Sequence, residues 1–152
     1  MAAQRADNIV VEGRKMDLFS NPLEEYWIKR KKKRPSFYPL DSCRRGYVAT
    51  WEIRDNNLFL TDLDGDVEKR SLFFGKKLVK YSLKKLFPKA IRPGIKADWF
   101  SGKLRIPSGK MTQYEDTGYD SRFEKEIIIT INHGEVLRTR TIDYTQRTLT
   151  VS

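Results

Sequence analysis

The sequence predicts an α+β protein in which mainly antiparallel β-hairpins form a bent sheet or partial barrel, with one or two short helices packed against it. Three observations lead to this prediction. Segments of alternating apolar and polar residues recur along the chain, turn-forming residues separate them, and only two stretches have helical spacing. The 152 residues are expected to form a single domain over residues 1–152, because a chain of this length can bury a substantial core.

One hairpin and one helix are predicted before Pro35. Residues 8–12 and 16–19 form the strands, and residues 13–15 form the turn between them. The helix is expected to begin at Pro22, because Asn21 is a favourable N-cap and proline suits the first helical position. It should end before Pro35, since the residue that precedes a proline disfavours helical angles.

Six consecutive basic residues, Lys29 to Arg34, span the predicted end of this helix. They can contact phosphates or serve as a basic address signal. They can also be a solvated helix end, where the helix dipole favours cations. The second interpretation is preferred, because six residues in a row cannot all lie on one helical face.

The most clearly patterned hairpin spans residues 45–60. Apolar side chains alternate onto one face of its first strand, namely Tyr47, Ala49, Trp51 and Ile53. A two-residue turn at residues 55–56 would place Trp51 opposite Leu60 and Ala49 opposite Asp62. A three-residue turn would swap the faces of the second strand. The two-residue register is preferred.

Residues 62–66 have acids at a spacing similar to that of calcium loops. The glycine comes too early, however, and the position that needs a bidentate glutamate is Phe73. A turn at Asp64-Gly65 is therefore preferred, and no metal is expected. A third strand should follow over residues 67–74, with Leu72, Phe73 and Phe74 in or near the core.

Residues 75–88 allow two interpretations. Their apolar residues have helical spacing with lysines between them, which predicts a helix that packs on the sheet and exposes its lysines. Such a helix could also bind nucleic acid or an anionic membrane surface. Alternatively, residues 77–81 extend a strand, and Ser82 caps a short helix over residues 83–87.

Two further hairpins are predicted in the C-terminal half. One spans residues 97–106 and turns at Ser101-Gly102, and the polar residues 108–120 that follow are expected to be a loop. The isoleucine-rich residues 122–132 predict a central strand covered on both faces. A turn at residues 132–135 joins it to a last strand. There, Arg138 and Arg140 share a face and are either exposed or paired with Glu124 or Glu126.

The formal net charge of +10 is concentrated in one segment. Residues 69–105 hold twelve of the 30 basic residues and one of the 20 acidic residues, so that the rest of the chain is close to neutral. Such a localised surplus favours an anionic partner more than a diffuse excess would.

Few residues are suited to catalysis. Cys43 is the only cysteine, which excludes an intrachain disulfide and a cysteine-based metal site. His133 is the only histidine and lies in a predicted turn, so a nucleophilic triad is not expected. The sequence contains no Walker loop and no dinucleotide fingerprint. We therefore expect no cofactor, and we do not favour an enzyme.

The leading hypothesis is a non-catalytic binding module whose basic face meets nucleic acid or an acidic protein. The candidate residues are Lys76, Lys77, Lys80, Lys84, Lys85 and Arg92. In a helix, Lys76, Lys77, Lys80 and Lys84 would share one side. Lysines dispersed over all faces would count against this hypothesis.

The alternative is a small enzyme or binder that acts on a sugar or another polar ligand through carboxylates beside tryptophans. Its candidate residues are Glu24, Glu52, Trp51, Asp98 and Trp99. Convergence of the three carboxylates in one pocket would favour this alternative.

The setting is expected to be the cytoplasm, without a membrane partner. No stretch approaches the roughly 20 apolar residues that a membrane span needs. Residues 1–11 contain no apolar run typical of a secretory signal.

Three segments resemble small uncharacterised bacterial proteins. They are residues 18–27 (LFSNPLEEYW), 45–53 (RGYVATWEI) and 97–107 (ADWFSGKLRIP). The resemblance covers most of the chain and implies a bacterial cytosolic setting. It implies no activity, so no functional residue is assigned from it.

Overall fold

One mixed sheet organises the protein. The computed structural model describes residues 4–73, 75–91, 94–114, 119 and 121–145. The strands are β1 (Asp7–Val11), β2 (Arg14–Leu18), β3 (Tyr47–Arg54), β4 (Asn57–Ser71), β5 (Gly75–Ser82), β6 (Ile95–Lys96), β7 (Gly102–Gln113), β8 (Arg122–Asn132) and β9 (Glu135–Asp143). The helices are α1 (Pro22–Lys29) and α2 (Leu83–Leu86).

The strand order is β2-β1-β3-β4-β9-β8-β7, and both β5 and β6 pair with β4 beside this path. All pairs are antiparallel except β1 with β3. The sheet is not closed into a barrel. A single backbone hydrogen bond, in which Phe19 N donates to Arg105 O at 2.7 Å, joins the end of β2 to β7. The prediction of a mostly β, mainly antiparallel protein with short helices is thus confirmed.

Local turn chemistry forms three hairpins close to their predicted positions. The β1–β2 turn lies at Glu12-Gly13 with positive φ angles, one residue earlier than expected. The β3–β4 turn lies at residues 55–56, and the β8–β9 turn at His133-Gly134, again with positive φ. Paired positive φ angles match the right-handed twist of hairpin strands.

The hairpin of β3 and β4, which we call the central hairpin, has the predicted register between its turn and Trp51, which pairs with Leu60. The predicted pairing of Ala49 with Asp62 is wrong, because a β-bulge lies between Thr50 and Trp51 and sets Ala49 opposite Leu63. A bulge adds one residue to one strand and shifts the faces beyond it. Here the shift buries Leu63 and leaves Asp62 exposed.

Helix α1 begins at Pro22 as predicted, although the Asn21 side chain makes no capping hydrogen bond. Its Leu23 and Trp27 pack into the core, whose other large members include Tyr47, Trp51, Leu58, Leu60, Trp99, Leu104, Ile106, Ile129 and Ile131. The helix ends at Lys29, so most of the basic run lies beyond it. Residues 31–33 of that run are exposed.

One ion pair is buried beneath the central hairpin. Asp7 is fully buried and accepts hydrogen bonds from Arg45 Nη2 at 2.7 Å, Ala49 N at 3.0 Å and Trp51 Nε1 at 3.1 Å. Burial raises the pKa of the Asp7 carboxyl, and the Arg45 guanidinium and the N–H donors oppose that rise. Asp7 therefore ties β1 to β3 through Ala49 and Trp51, and its ion pair with Arg45 anchors the segment that precedes β3.

Several further predictions about local structure are wrong. The turn expected at Asp64-Gly65 does not form, because β4 runs without interruption from Asn57 to Ser71. Leu72 and Phe73 are exposed at the β4–β5 turn rather than in or near the core, while Phe74 lies outside the described residues. The hairpin over residues 97–106 does not form, because Trp99 and Phe100 turn into the core and β7 pairs with β8 instead. β7 also continues to Gln113, into the predicted loop.

For residues 75–88, the strand alternative is confirmed and the long helix is wrong. β5 ends at Ser82, which precedes the one-turn helix α2 but makes no side-chain cap. β8 is central as predicted, since it lies between β7 and β9. Its second face is only partly covered, however, and Ile128 there is half-buried. Within the described part of the chain, no helix has the length and apolar character needed to cross a membrane.

Candidate functional site

Two rows of cations cross the outer face of strands β7, β8 and β9. One row places Arg105 and Arg140 on either side of Ile128, and the other places Lys103 and Arg138 on either side of Thr130. Residues directly opposite each other in antiparallel strands share a face. The neighbouring Ile129 and Ile131 are buried in the core, so the two rows lie on the side away from it. We call Lys103, Arg105, Arg138 and Arg140 the β7–β9 basic face.

Most of this charge is unneutralised. Lys103, Arg138 and Arg140 are exposed. Within the described ranges, no carboxylate lies within 4 Å of their charged atoms. Of the two alternatives expected for Arg138 and Arg140, exposure is confirmed, and the pairing with Glu124 or Glu126 is not formed. Neighbouring strands lie about 4.8 Å apart, so the Cα atoms of the four residues lie at the corners of a rectangle of roughly 10 by 7 Å.

Arg105 is held in place by a buried carboxylate. Its Nε donates to Glu126 Oε1 in a close contact, and its Nη1 donates to Tyr119 O at 2.9 Å. Glu126 is only 7% exposed and also accepts a hydrogen bond from Tyr144 Oη at 2.6 Å. The Arg105 guanidinium lies 5.5 Å from the centre of the Phe19 ring. These contacts fix the orientation of the Arg105 side chain, which forms one corner of the basic face.

A cavity of about 660 Å³ adjoins this corner. The described residues that line it include Arg105, Tyr119, Arg122, Phe123, Lys125 and Tyr144. The Tyr119 ring stacks on the Phe19 ring with centroids 4.9 Å apart. Cations and aromatic rings thus continue from the basic face into a concave surface.

The lysines selected from the sequence do not share one face. Lys76 and Lys77 point to opposite faces of β5, since strand residues alternate. Lys80 pairs with Asp64 at 3.1 Å, and this hydrogen bond raises its pKa. Lys84 Nζ donates to Ala90 O at 2.8 Å. Lys85 is exposed on α2, and Arg92 lies outside the described residues.

The tryptophans of the alternative site are core residues. Trp51 and Trp99 are 0% and 4% exposed, and their indole N–H groups donate to Asp7 and to Pro22 O. Buried and hydrogen-bonded indoles of this kind stabilise the fold rather than face a ligand.

The carboxylates of the alternative site do not converge. Glu24 pairs with Arg34 at 2.9 Å and accepts a hydrogen bond from Tyr47. Glu52 pairs with Arg54 on the opposite side of β3 from Trp51. Asp98 pairs with Arg30 at 2.7 Å. Each of these carboxylates therefore already has a cationic partner at a separate place on the protein.

Two of the four residues of the β7–β9 basic face were predicted from the sequence to lie together. The alternation of strand residues predicted that Arg138 and Arg140 share a face, but Lys103 and Arg105 were assigned to a hairpin that does not form. The available signal was the alternation of cations on two segments that flank an isoleucine-rich strand. Only the β7–β8 register brings the two halves together.

In the described part of the chain, no group of three or more histidine, cysteine or acidic residues is placed to hold a metal ion. No protein-family model, no curated protein and no solved structure matches this chain.

Proposed function

We propose that this protein is a non-catalytic binding module that holds single-stranded nucleic acid across the β7–β9 basic face. The observation that supports the proposal is the pair of cross-strand rows, Arg105–Ile128–Arg140 and Lys103–Thr130–Arg138. Three of the four cations, Lys103, Arg138 and Arg140, are exposed and have no carboxylate partner among the described residues, so they are available to replace the counterions of phosphates. The proposed binding face is therefore the outer side of β7, β8 and β9, in place of the β5 lysines that were predicted from the sequence.

The flatness of the site favours a single strand over a duplex. A broad sheet face fits a duplex groove only when the duplex is strongly deformed, whereas an exposed strand of nucleic acid can lie along cations while its bases contact apolar or aromatic side chains. Ile128 lies at the centre of the patch, and Tyr119, Phe123 and Tyr144 line the adjoining cavity. Affinity should be modest, on the order of micromolar or weaker at physiological salt, because the face offers only about three unpaired cations for phosphate contacts.

Neutralising one strand of the face tests the proposal. The double substitution Arg138→Gln, Arg140→Gln should weaken binding of a labelled single-stranded oligonucleotide by roughly ten- to a hundredfold at low salt. The plot of log affinity against log salt should flatten by about 0.7 for each phosphate that the variant no longer neutralises. Fluorescence anisotropy titrations with DNA and RNA at several salt concentrations measure both quantities.

The matched control is Lys32→Gln, Lys33→Gln, which removes the same charge from the exposed basic run after α1. We expect it to leave the affinity nearly unchanged. A second control, Lys77→Gln, Lys80→Gln, Lys84→Gln, removes lysines of the predicted helical patch. An equal loss of affinity in all three variants would reduce the interaction to diffuse charge attraction. Binding of polyglutamate in place of the oligonucleotide would assign the face to an acidic protein.

A further inference from the structure

A two-stranded ribbon projects from the body of the protein. Phe37 bridges to Val67, and beyond that rung β4 and β5 pair, among the residues that the structure describes, only with each other. Residues 68–70 and 75–78 are exposed on both faces of the ribbon. The four rungs from Glu68 to Ser71 extend it by roughly 13 Å.

Large apolar side chains form the tip of this ribbon. Leu72 is 98% exposed and Phe73 is 87% exposed, the two highest values among the large apolar residues that the structure describes. Single exposed apolar residues are ordinary on a protein surface. Two adjacent ones at the end of a projecting ribbon instead indicate a surface that is covered in a complex.

Four cations form a collar directly behind the tip. Lys69 lies opposite Lys77 on one face of the ribbon, and Arg70 lies opposite Lys76 on the other face. Like charges directly across a strand pair destabilise it, so the collar is not explained by the stability of the ribbon itself. In the part of the chain described, only Lys76 has a carboxylate partner, Glu68 at 3.5 Å.

The collar covers only a short length of the ribbon. The collar occupies two rungs, and the rungs nearer the body contain Glu68, Asp66 and Asp64. A planar layer of anionic headgroups would contact the collar on both faces and would stay clear of Asp66 and Asp64, while Glu68 is already paired with Lys76. A nucleic-acid groove that followed the ribbon would bring phosphates against these acids. Charge complementarity therefore favours a membrane surface.

We propose that the β4–β5 ribbon docks on anionic membranes, with Leu72 and Phe73 inserted at the boundary of headgroups and acyl chains and the collar bound to lipid phosphates or carboxylates. The expectation of no membrane partner was based on the lack of an apolar span, and a ribbon that docks on the membrane surface does not need one. This inference does not depend on the nucleic-acid proposal, because it rests on different residues.

Vesicle co-sedimentation of the full chain tests the proposal. We expect binding to vesicles of phosphatidylcholine with phosphatidylserine and little binding to phosphatidylcholine alone. The variant Leu72→Ser, Phe73→Ser should bind at least about tenfold more weakly, because it has no apolar side chains to insert. The variant Lys69→Gln, Lys77→Gln should bind about fivefold more weakly for each cation removed. The control Leu40→Ser, Ile91→Ser, which alters exposed apolar residues elsewhere, should bind like the unaltered protein.

Insertion has its own spectroscopic readout. Tryptophan emission of the variant Phe73→Trp should shift to shorter wavelength when anionic vesicles are added, and brominated acyl chains should quench it. Unchanged emission, or full binding by Leu72→Ser, Phe73→Ser, would overturn the proposal. So would a loss of oligonucleotide binding in that variant, since it would assign the tip to nucleic acid. Arg138→Gln, Arg140→Gln should retain vesicle binding, which separates the two proposals.

Discussion

Replacement of Trp51 by alanine is expected to lower the free energy of unfolding by about 3–5 kcal/mol. The side chain is fully buried, and its ring centre lies 6.3 Å from that of Trp99. Truncation would leave a cavity between the central hairpin and the residues that pack on it. It would also remove the indole N–H that donates to Asp7 at 3.1 Å. Urea unfolding followed by circular dichroism measures the change.

Two variants separate the contributions at this position. Trp51→Phe keeps much of the ring volume and removes the hydrogen bond, so its cost should be smaller, about 1–3 kcal/mol. Tyr114→Ala removes an aromatic ring that is 62% exposed and should change stability by less than about 0.5 kcal/mol. A near-neutral Trp51→Ala would contradict the core assignment of this tryptophan.

Replacement of Asp7 by alanine is expected to lower the free energy of unfolding by about 3–5 kcal/mol, because it leaves the buried charge of Arg45 without its partner. The side chain of Arg45 is only 10% exposed, and that of Asp7 is 0% exposed. Without the carboxylate, the guanidinium would remain away from water and unpaired. Ala49 N and Trp51 Nε1 would also lose their acceptor.

The surface pair on the same sheet supplies the control. Glu52 contacts Arg54 at 3.2 Å, and their side chains are 24% and 52% exposed. Glu52→Ala should cost less than about 1 kcal/mol, since solvent screens such pairs. The double substitution Asp7→Leu, Arg45→Met should recover part of the stability that Asp7→Ala removes, because no charge is left buried alone. Equal losses of stability for Asp7→Ala and Glu52→Ala would refute the buried-pair argument.

Hairpin turns and the start of the helix were the features best predicted from the sequence. Asp55-Asn56 and His133-Gly134 adopt positive φ angles that few other residues tolerate. Pro22 suits the first turn of a helix because its missing N–H has no partner there in any case. These choices depend on neighbouring residues alone, so local chemistry suffices to predict them.

The β4–β5 ribbon shows where local pattern fails. Residues 75–82 have helical spacing, yet they form a strand because the long β4 offers eight cross-strand partners. Backbone pairing with a neighbour outweighs helical periodicity over so short a segment. The same pairing sends Leu72 and Phe73 beyond the edge of the core, although their composition predicts burial.

The candidate site was also predicted only in part from the sequence. The sequence by itself determined that Arg138 and Arg140 share a face, because strand residues alternate with a period of two. It did not determine that Lys103 and Arg105 join them, since β7 and β8 are separated by a long connection whose length sets no register. That register was decided by the tertiary structure, in which burial of Leu104 and Ile106 against Ile129 and Ile131 turns the four cations to the outside.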